Sequence, residues 1–161
     1  MSWVLILGII FFSFSFVVFF GAPYLPTLSS QQKIAFDLLK LKRGQTLLEL
    51  GVGDGKVAIE AARRGYQVIG YELNPILFLV AYFRTIRYRD QVKIRWGNFW
   101  SVSWPEADAI FVFLLPKYMN KLHNKCLAIR YKPITLVSIA FDIPNVKPSK
   151  TKQSVFLYHY K

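Results

Sequence analysis

Cysteine and histidine are scarce in this chain of 161 residues, which holds one cysteine, Cys126, and two histidines, His123 and His159. A single cysteine cannot pair within the chain, so a disulfide scaffold is excluded and a reducing compartment is favoured. The same three residues are too few for a structural zinc cluster, and no metal site is expected. The length allows one domain, and a hydrophobic content of 53% excludes disorder as the main state.

Charge is also missing from the beginning of the chain, because no charged side chain precedes Lys33. The segment 2–20, SWVLILGIIFFSFSFVVFF, has no proline or amide side chain either. A helix of this length spans about 28 Å, close to the roughly 30 Å of a bilayer core. We therefore predict a transmembrane anchor at residues 1–21 and one domain at 22–161. A cleaved signal peptide and a buried helix are the alternatives, but a basic leader and a polar stripe, respectively, are missing.

The basic residues predict the orientation of this anchor. None precedes the apolar segment, and four follow it at Lys33, Lys40, Lys42 and Arg43. The positive-inside rule then places Met1 outside and the domain in the cytoplasm. The expected location is the inner membrane of a bacterium or the mitochondrial inner membrane of a eukaryote, with the bilayer as a partner.

Hydrophobic patterns after the anchor alternate between strand and helix. Strands are predicted at 46–50, 67–71, 91–96, 109–115, 134–141 and 154–160. Helices are predicted at 57–64, 75–88 and 116–127, with an earlier helix from the serines at 29–30 to Gly44. Residues 144–150 are predicted to form a surface loop. The alternation predicts an α/β fold with a Rossmann-like, doubly wound sheet.

A glycine-rich turn follows the first predicted strand in LLELGVGDG, with glycines at Gly51, Gly53 and Gly55. The spacing G-x-G-x-G differs from the dinucleotide fingerprint, and no G-K-[ST] follows as in a phosphate-binding Walker loop. Glycines at such a turn let the backbone approach a ligand that lies over the strand ends. We therefore expect the ligand site at this edge of the sheet.

Acidic and amide residues near this turn indicate the ligand. Glu72 follows the second strand and is placed to accept both hydroxyls of a ribose, while Asn98, after the third strand, is placed to bind an adenine edge. Glu49 and Asp54 suit a cationic ligand and would repel a pyrophosphate. S-adenosylmethionine, with its adenosine, sulfonium and amino acid parts, fits this set. The alternative is that Glu49 and Asp54 only cap or solvate the turn.

These motifs resemble those of the class I, seven-strand methyltransferases. ELGVGDG at 49–55 is similar to their first motif, and GYELNP at 70–75 to their acidic second motif. The PYLPT segment at 23–27, Phe99-Trp100 and Pro116 resemble one branch, the small membrane-anchored protein lysine methyltransferases. Studied members of that branch modify the adenine nucleotide translocase and the c-subunit of ATP synthase. The chain departs from the family at Asn98, where aspartate is common, and we expect its last hairpin to be abbreviated.

The resemblance implies S-adenosylmethionine as cofactor and a set of residues that bind it. This set comprises Glu49, Gly51, Gly53, Asp54, Gly55, Glu72, Leu73, Asn98 and Phe99. For the acceptor, Tyr24, Trp100 and Pro116 are pocket candidates, joined by Phe99 and Phe141. Simple packing of these aromatic residues is the alternative, and no general base is identified.

The acceptor is expected to be an amine rather than a nucleic acid. FLLPK at 113–117 stands where enzymes of adenine and glutamine amides carry [DN]-P-P-[YF]. The basic balance is compatible with RNA, but Arg84, Arg87 and Arg89 lie at a tyrosine-rich helix end and not in a known RNA-binding module. We expect a lysine of a membrane protein as acceptor. A small or lipid amine, or a catalytically silent membrane scaffold, are the alternatives, and the oligomeric state stays open.

Overall fold

A computed structural model describes residues 3–5, 7–8, 11, 27–129 and 132–160. Most of the predicted anchor at 1–21 and the pocket candidate Tyr24 lie outside these residues. The described residues of the apolar segment are helical and exposed. Within the described ranges, no helix has the length and hydropathy needed to cross a bilayer. The anchor therefore stays a prediction.

Seven strands of the described residues form one sheet. They are β1 (Thr46–Leu50), β2 (Gln67–Glu72), β3 (Val92–Trp96), β4 (Ala109–Val112), β5 (Ile134–Ile139), β6 (Lys150–Lys152) and β7 (Val155–Tyr160). Their order in the sheet is β3-β2-β1-β4-β5-β7-β6. The first five are parallel, and β7 runs antiparallel to β5 and β6. The predicted Rossmann-like fold is confirmed, and its strand order reverses between β1 and β4, where such sheets bind ligands.

In the part of the chain from residue 27 that the structure describes, four helices cover the two faces of the sheet. They are α1 (Ser29–Leu39), α2 (Lys56–Arg63), α3 (Pro75–Thr85) and α4 (Met119–Leu127), with 3₁₀ turns at Ile86–Tyr88 and Pro116–Tyr118. One core cluster joins α1 and α2 to one face through Phe36, Ala58 and Phe111. The other joins α4 to the opposite face through Leu122 and Ile110. Helix α3 packs beside α2 and β3, on the first face.

Several predicted boundaries are wrong. Strand β4 ends at Val112 instead of residue 115, and β5 ends at Ile139 instead of residue 141. Helix α1 ends at Leu39 instead of Gly44, because Lys40 adopts a left-handed conformation and its N–H closes on the carbonyl of Phe36. Lys150 belongs to β6 and not to a loop. This strand was missed because its sequence, KTK, is exposed and polar, as edge strands often are. The last hairpin pairs β6, three residues long, with β7, and its abbreviation relative to the family stays a prediction.

Gly70 lets the glycine turn pack directly on the middle of the sheet. A Cβ atom at this position would lie 2.3 Å from Cγ2 of Val52, inside the turn. Valine is stiff about its first side-chain torsion, so the turn itself would have to move. We expect Gly70→Ala to lower the free energy of unfolding by about 1–3 kcal/mol, as overpacked cores do. Urea denaturation measures this change.

A second substitution tests whether Val52 is the cause. In Gly70→Ala/Val52→Ala the clash is absent, so the double variant should recover part of the stability that the single variant loses. Val52→Ala alone completes the double-mutant cycle, because Val52 is itself buried. An interaction energy near zero would show that the contact with Val52 is not responsible.

Candidate cofactor site

The glycine turn connects β1 to α2 at the carboxyl edge of the sheet. The N–H groups of Gly51 and Val52 both donate to the carbonyl of Tyr71 on β2, at 3.0 Å each, which fixes the turn against the neighbouring strand. Gly51 has a φ of 91°, and a Cβ atom built there meets no atom within 4 Å. The turn therefore leaves open space above its backbone, as a bound ligand requires.

Glu72 connects two segments at the end of β2. One carboxylate oxygen accepts from the N–H of Gly53 and the other from the N–H of Asn74, both at 2.8 Å. The side chain is buried. Burial raises the pKa of Glu72, and backbone hydrogen bonds from Asn74, Gly53 and Leu73 offset this effect only in part. Glu72 therefore lies against the glycine turn, and its predicted contact with a ribose stays a prediction.

Glu49 lies on β1, immediately before the turn, and its carboxyl group is fully buried. Among the described residues, none forms a hydrogen bond with its Oε2 atom. Burial raises the pKa of Glu49 well above its ordinary value, and the nearby charges of Glu72 and Asp54 raise it further. A buried acceptor without a partner is costly, and a cationic ligand would satisfy it.

Asp54 points toward α3. Its carboxylate pairs with Lys56 at 3.3 Å and with Arg84 on α3. Partial burial raises the pKa of Asp54, but the hydrogen bonds and charges of Arg84 and Lys56 outweigh this effect and lower it. Asp54 thus connects the glycine turn to α3, and its predicted contact with the cofactor stays a prediction.

Asn98 lies beside Glu72, because the N–H of Gly97 donates to the carbonyl of Glu72 at 2.9 Å. The side-chain oxygen of Asn98 accepts from the N–H of Trp100 at 2.9 Å, which orders the loop after β3. The carbonyl of Leu73 accepts from the indole of Trp96 at 3.1 Å. The predicted residues of the second and third strand ends are therefore adjacent in space.

This arrangement fits S-adenosylmethionine. The orphaned oxygen of Glu49 suits the ammonium group of the amino acid part, and the carboxylate of Glu72 suits the ribose hydroxyls. The amide of Asn98 and the buried ring of Phe99 suit the adenine. Ionised carboxylates of Glu49, Asp54 and Glu72 around one turn would disfavour a polyphosphate.

Aromatic side chains lie in the segments that follow β3, β4 and β5, at the carboxyl edge of the sheet. The ring of Trp100 lies 4.7 Å from Phe99 and 6.0 Å from Tyr118, between centroids. Tyr118 belongs to the 3₁₀ turn that Pro116 begins. The rings of Phe113, after β4, and Phe141, after β5, are 6.5 Å apart between centroids.

Phe113 was not among the predicted pocket residues. Leu50 on β1 pairs with Val112 on β4, so the next residues, Gly51 and Phe113, lie side by side just beyond the strand ends. The strand order reverses between these two strands. The signal available in the sequence was the position of Phe113 directly after a buried strand next to β1.

Lys125 on α4 holds the loop that carries Phe99 and Trp100. Its ammonium group donates to the carbonyls of Phe99 at 3.2 Å, Trp100 at 3.0 Å and Val102 at 2.8 Å. We expect Lys125→Met to lower the free energy of unfolding by about 1–2 kcal/mol and to weaken cofactor binding, because this loop also carries Asn98. Urea denaturation and calorimetric titration with S-adenosylmethionine measure the two effects.

The matched control is Lys147→Met, which removes an exposed lysine of the loop before β6. It should change neither quantity. A Lys125→Met protein as stable as the parent would contradict the proposed role of the three carbonyl contacts.

The strand order, the glycine turn and the acidic ends of β1 and β2 together define a class I methyltransferase domain. A solved RNA methyltransferase from Salinibacter ruber, in complex with S-adenosyl-L-homocysteine, has the same fold with a TM-score of 0.76 and 26% identity. The match covers 84% of this chain and 92% of that one.

A match to a family model identifies the family within the class I methyltransferases to which this chain belongs. The model of the ANTKMT methyltransferase domain matches residues 49–150, and the chain belongs to this family. The resemblance predicted from the sequence is thereby confirmed.

Curated relatives are lysine methyltransferases. The lysine N-methyltransferase of the ATP synthase c-subunit in Xenopus laevis is 30% identical over 128 residues, or 78% of this chain and 56% of that protein. A protein-lysine N-methyltransferase of Saccharolobus islandicus is 29% identical over 133 residues, or 80% of this chain and 82% of that protein. The chain thus spans little more than half the length of the Xenopus relative.

Proposed function

We propose that the protein is an S-adenosylmethionine-dependent protein lysine N-methyltransferase that acts on a membrane protein. The observation that carries the cofactor assignment is the buried, unpartnered oxygen of Glu49 beside Glu72 and the glycine turn. The lysine acceptor is supported by family membership and by relatives that bear this activity in their names.

The cofactor supplies an activated methyl group on a sulfonium, and the chain has to present a neutral amine to it. A lysine has a reference pKa of about 10.4, so it must lose a proton before it attacks. Phe113 and Phe141 offer an apolar wall, and burial against such a wall lowers the pKa of an amine. These two rings, with Trp100 and Pro116, are therefore proposed to bind the lysine side chain and exclude water.

A membrane location is part of this proposal. Trp3, Leu7 and Phe11 in the apolar segment are all more than half exposed, which is unfavourable in water and favourable in lipid. We propose that residues 1–21 anchor the chain, with the domain on the cytoplasmic side. An anchored enzyme has a high effective concentration near acceptors in the same bilayer.

The test is transfer of tritium from labelled S-adenosylmethionine to membranes of a strain that lacks the protein. The proposal expects label in one small protein band, released as methyl-lysine after hydrolysis. Glu72→Ala should abolish the transfer. Glu106→Ala, which removes an exposed acid outside the site, is the matched control and should leave it intact.

Other distributions of the label would overturn the lysine assignment. Label in the lipid extract would favour a lipid amine, and label in nucleic acid would favour the activity named for the Salinibacter relative. No transfer despite measurable cofactor binding would favour a catalytically silent scaffold.

A further inference from the structure

The outward face of α3 is apolar where a helix on a protein surface is ordinarily polar. Leu79, Phe83 and Ile86 follow each other at helical spacing, and each is at least half exposed. The helix has only two fully buried residues, Ala81 and Thr85, on its opposite side. A contiguous exposed patch of this kind indicates a surface that another apolar phase covers.

Aromatic side chains extend this patch. Tyr82 lies on its flank, with its ring centroid 5.6 Å from that of Phe83. Trp96 is 65% exposed at the end of β3, and its indole donates to the carbonyl of Leu73, just before α3 begins. Tyrosine and tryptophan favour the boundary between lipid and water. We call Leu79, Tyr82, Phe83, Ile86 and Trp96 the α3 patch.

Positive charge borders the α3 patch. Arg84, Arg87 and Arg89 are exposed. Arg84 is paired with Asp54, and one exposed acid, Asp90, follows Arg89, so the net charge of this border is positive. Arginines at the edge of an apolar surface complement a partner that is apolar inside and anionic at its rim. Phospholipid headgroups over acyl chains have this arrangement.

A basic groove continues from the end of α3 to the start of α1. It has a volume of about 390 Å³ and is lined by Lys33, Lys56, Arg63, Arg64 and Arg84, with Glu60 as the acid in its lining. Ser29, the first residue of α1, also lines it. The groove therefore lies at the first residue of α1, on the same side as Arg84.

We propose that the α3 patch rests at the boundary between the headgroups and acyl chains of an anionic bilayer, with the basic groove facing lipid phosphates. The inference rests on the proposed membrane location but not on methyl transfer. A second copy of the chain is disfavoured as occupant, because a symmetric contact through α3 would bring its arginines together. The domain would lie flat on the membrane through α3, instead of hanging from a single tether.

A fluorophore on α3 tests this arrangement. Cys126 is buried, and burial raises the pKa of its thiol to about 12, so the native cysteine resists labelling. The full chain with Phe83→Cys carries an environment-sensitive dye at the centre of the patch. The matched control is Asn124→Cys on α4, which is exposed on the opposite face of the sheet.

Both labelled proteins are reconstituted in phosphatidylcholine vesicles with and without phosphatidylglycerol, and with nitroxide quenchers on the acyl chains. We expect a blue shift and loss of most of the emission at position 83 in anionic vesicles, and neither change at position 124. Emission at position 83 that stays solvent-like would overturn the proposal. A blue shift without lipid quenching would also overturn it, because the patch would then be covered by protein.

A charge reversal tests the role of the arginines. In Arg87→Glu/Arg89→Glu, quenching at position 83 should be lost, whereas Lys147→Glu/Lys150→Glu makes the same charge change far from α3 and should retain it. Retained quenching in the arginine variant would contradict the proposed headgroup contact. Titration of each labelled protein with S-adenosylmethionine separates this outcome from failure of the cofactor site.

Discussion

Replacement of Glu72 by alanine is expected to weaken S-adenosylmethionine binding by about 100-fold or more. The substitution removes the carboxylate proposed to accept the ribose hydroxyls, and it leaves the N–H groups of Gly53 and Asn74 without their acceptor. Hydrogen bonds to a charged group contribute about 1.5–3 kcal/mol each, so two of them account for this factor. Isothermal titration of the purified protein measures the affinity.

Loss of binding by Glu72→Ala has two possible causes, which are the missing contact with the ribose and a rearrangement of the glycine turn. Glu72→Gln distinguishes them. Glutamine keeps one acceptor oxygen for the backbone but lacks the charge, so it should preserve the turn better than alanine while still binding the cofactor weakly. Thermal unfolding reports the state of the turn, and Glu106→Ala serves as control. An unchanged affinity in a folded Glu72→Ala protein would refute the ribose assignment.

Replacement of Glu49 by glutamine is expected to have opposite effects on stability and on binding. The ligand-free protein should become more stable at neutral and alkaline pH, because a buried group with a raised pKa favours folding only in its protonated form. That contribution is complete below the pKa of the unfolded chain and is lost as the pH rises through the folded pKa of Glu49. Cofactor binding should weaken by about 10- to 100-fold, since the partner of a buried cation is lost.

Because the pKa of this carboxyl group is raised, we expect cofactor binding to release a proton. Below its raised pKa, Glu49 is protonated in the ligand-free protein and has to ionise to pair with an ammonium group. The affinity should therefore rise with pH, by up to about tenfold per unit, until Glu49 is ionised without ligand. Calorimetry in buffers of different ionisation enthalpy counts the protons released.

Comparison with Glu49→Gln isolates the contribution of this group, because the titration of the cofactor itself is common to both proteins. The pH dependence should be weaker in the variant by the part that Glu49 supplies. An identical pH profile in both proteins would show that Glu49 does not face the ligand. Glu106→Gln provides the control for an acid outside the site.

The sequence predicts the parts of the site whose positions depend on where the strands end. In a parallel sheet, residues directly after neighbouring strands share one edge, so the proximity of Gly53 and Glu72 follows once β1 and β2 are located. Their hydrogen bond at 2.8 Å agrees with this expectation. The glycine spacing and the apolar strands were sufficient to predict the fold, because both depend on local pattern.

The contacts that sequence did not predict join residues from separate elements. Asp54 was predicted to face the cofactor, and its pairing with Arg84 depends on how α3 packs beside the turn. Lys125 was not singled out, because its three carbonyl partners lie in a loop more than twenty residues earlier. Such contacts depend on packing angles between helices and loops, which no short motif encodes.

The turn between β6 and β7 holds two residues in an unfavourable backbone conformation, which leaves room for stabilising substitutions. Gln153 and Ser154 both have positive φ angles, 46° and 59°, a conformation that two-residue hairpin turns require and that glycine and asparagine adopt most readily. Each such residue costs roughly 1 kcal/mol relative to its relaxed backbone. Natural chains retain such sites because selection removes only variants below a threshold of stability. Substitution of these two residues by glycine or asparagine can therefore raise the stability of the protein at higher temperature without altering the cofactor site.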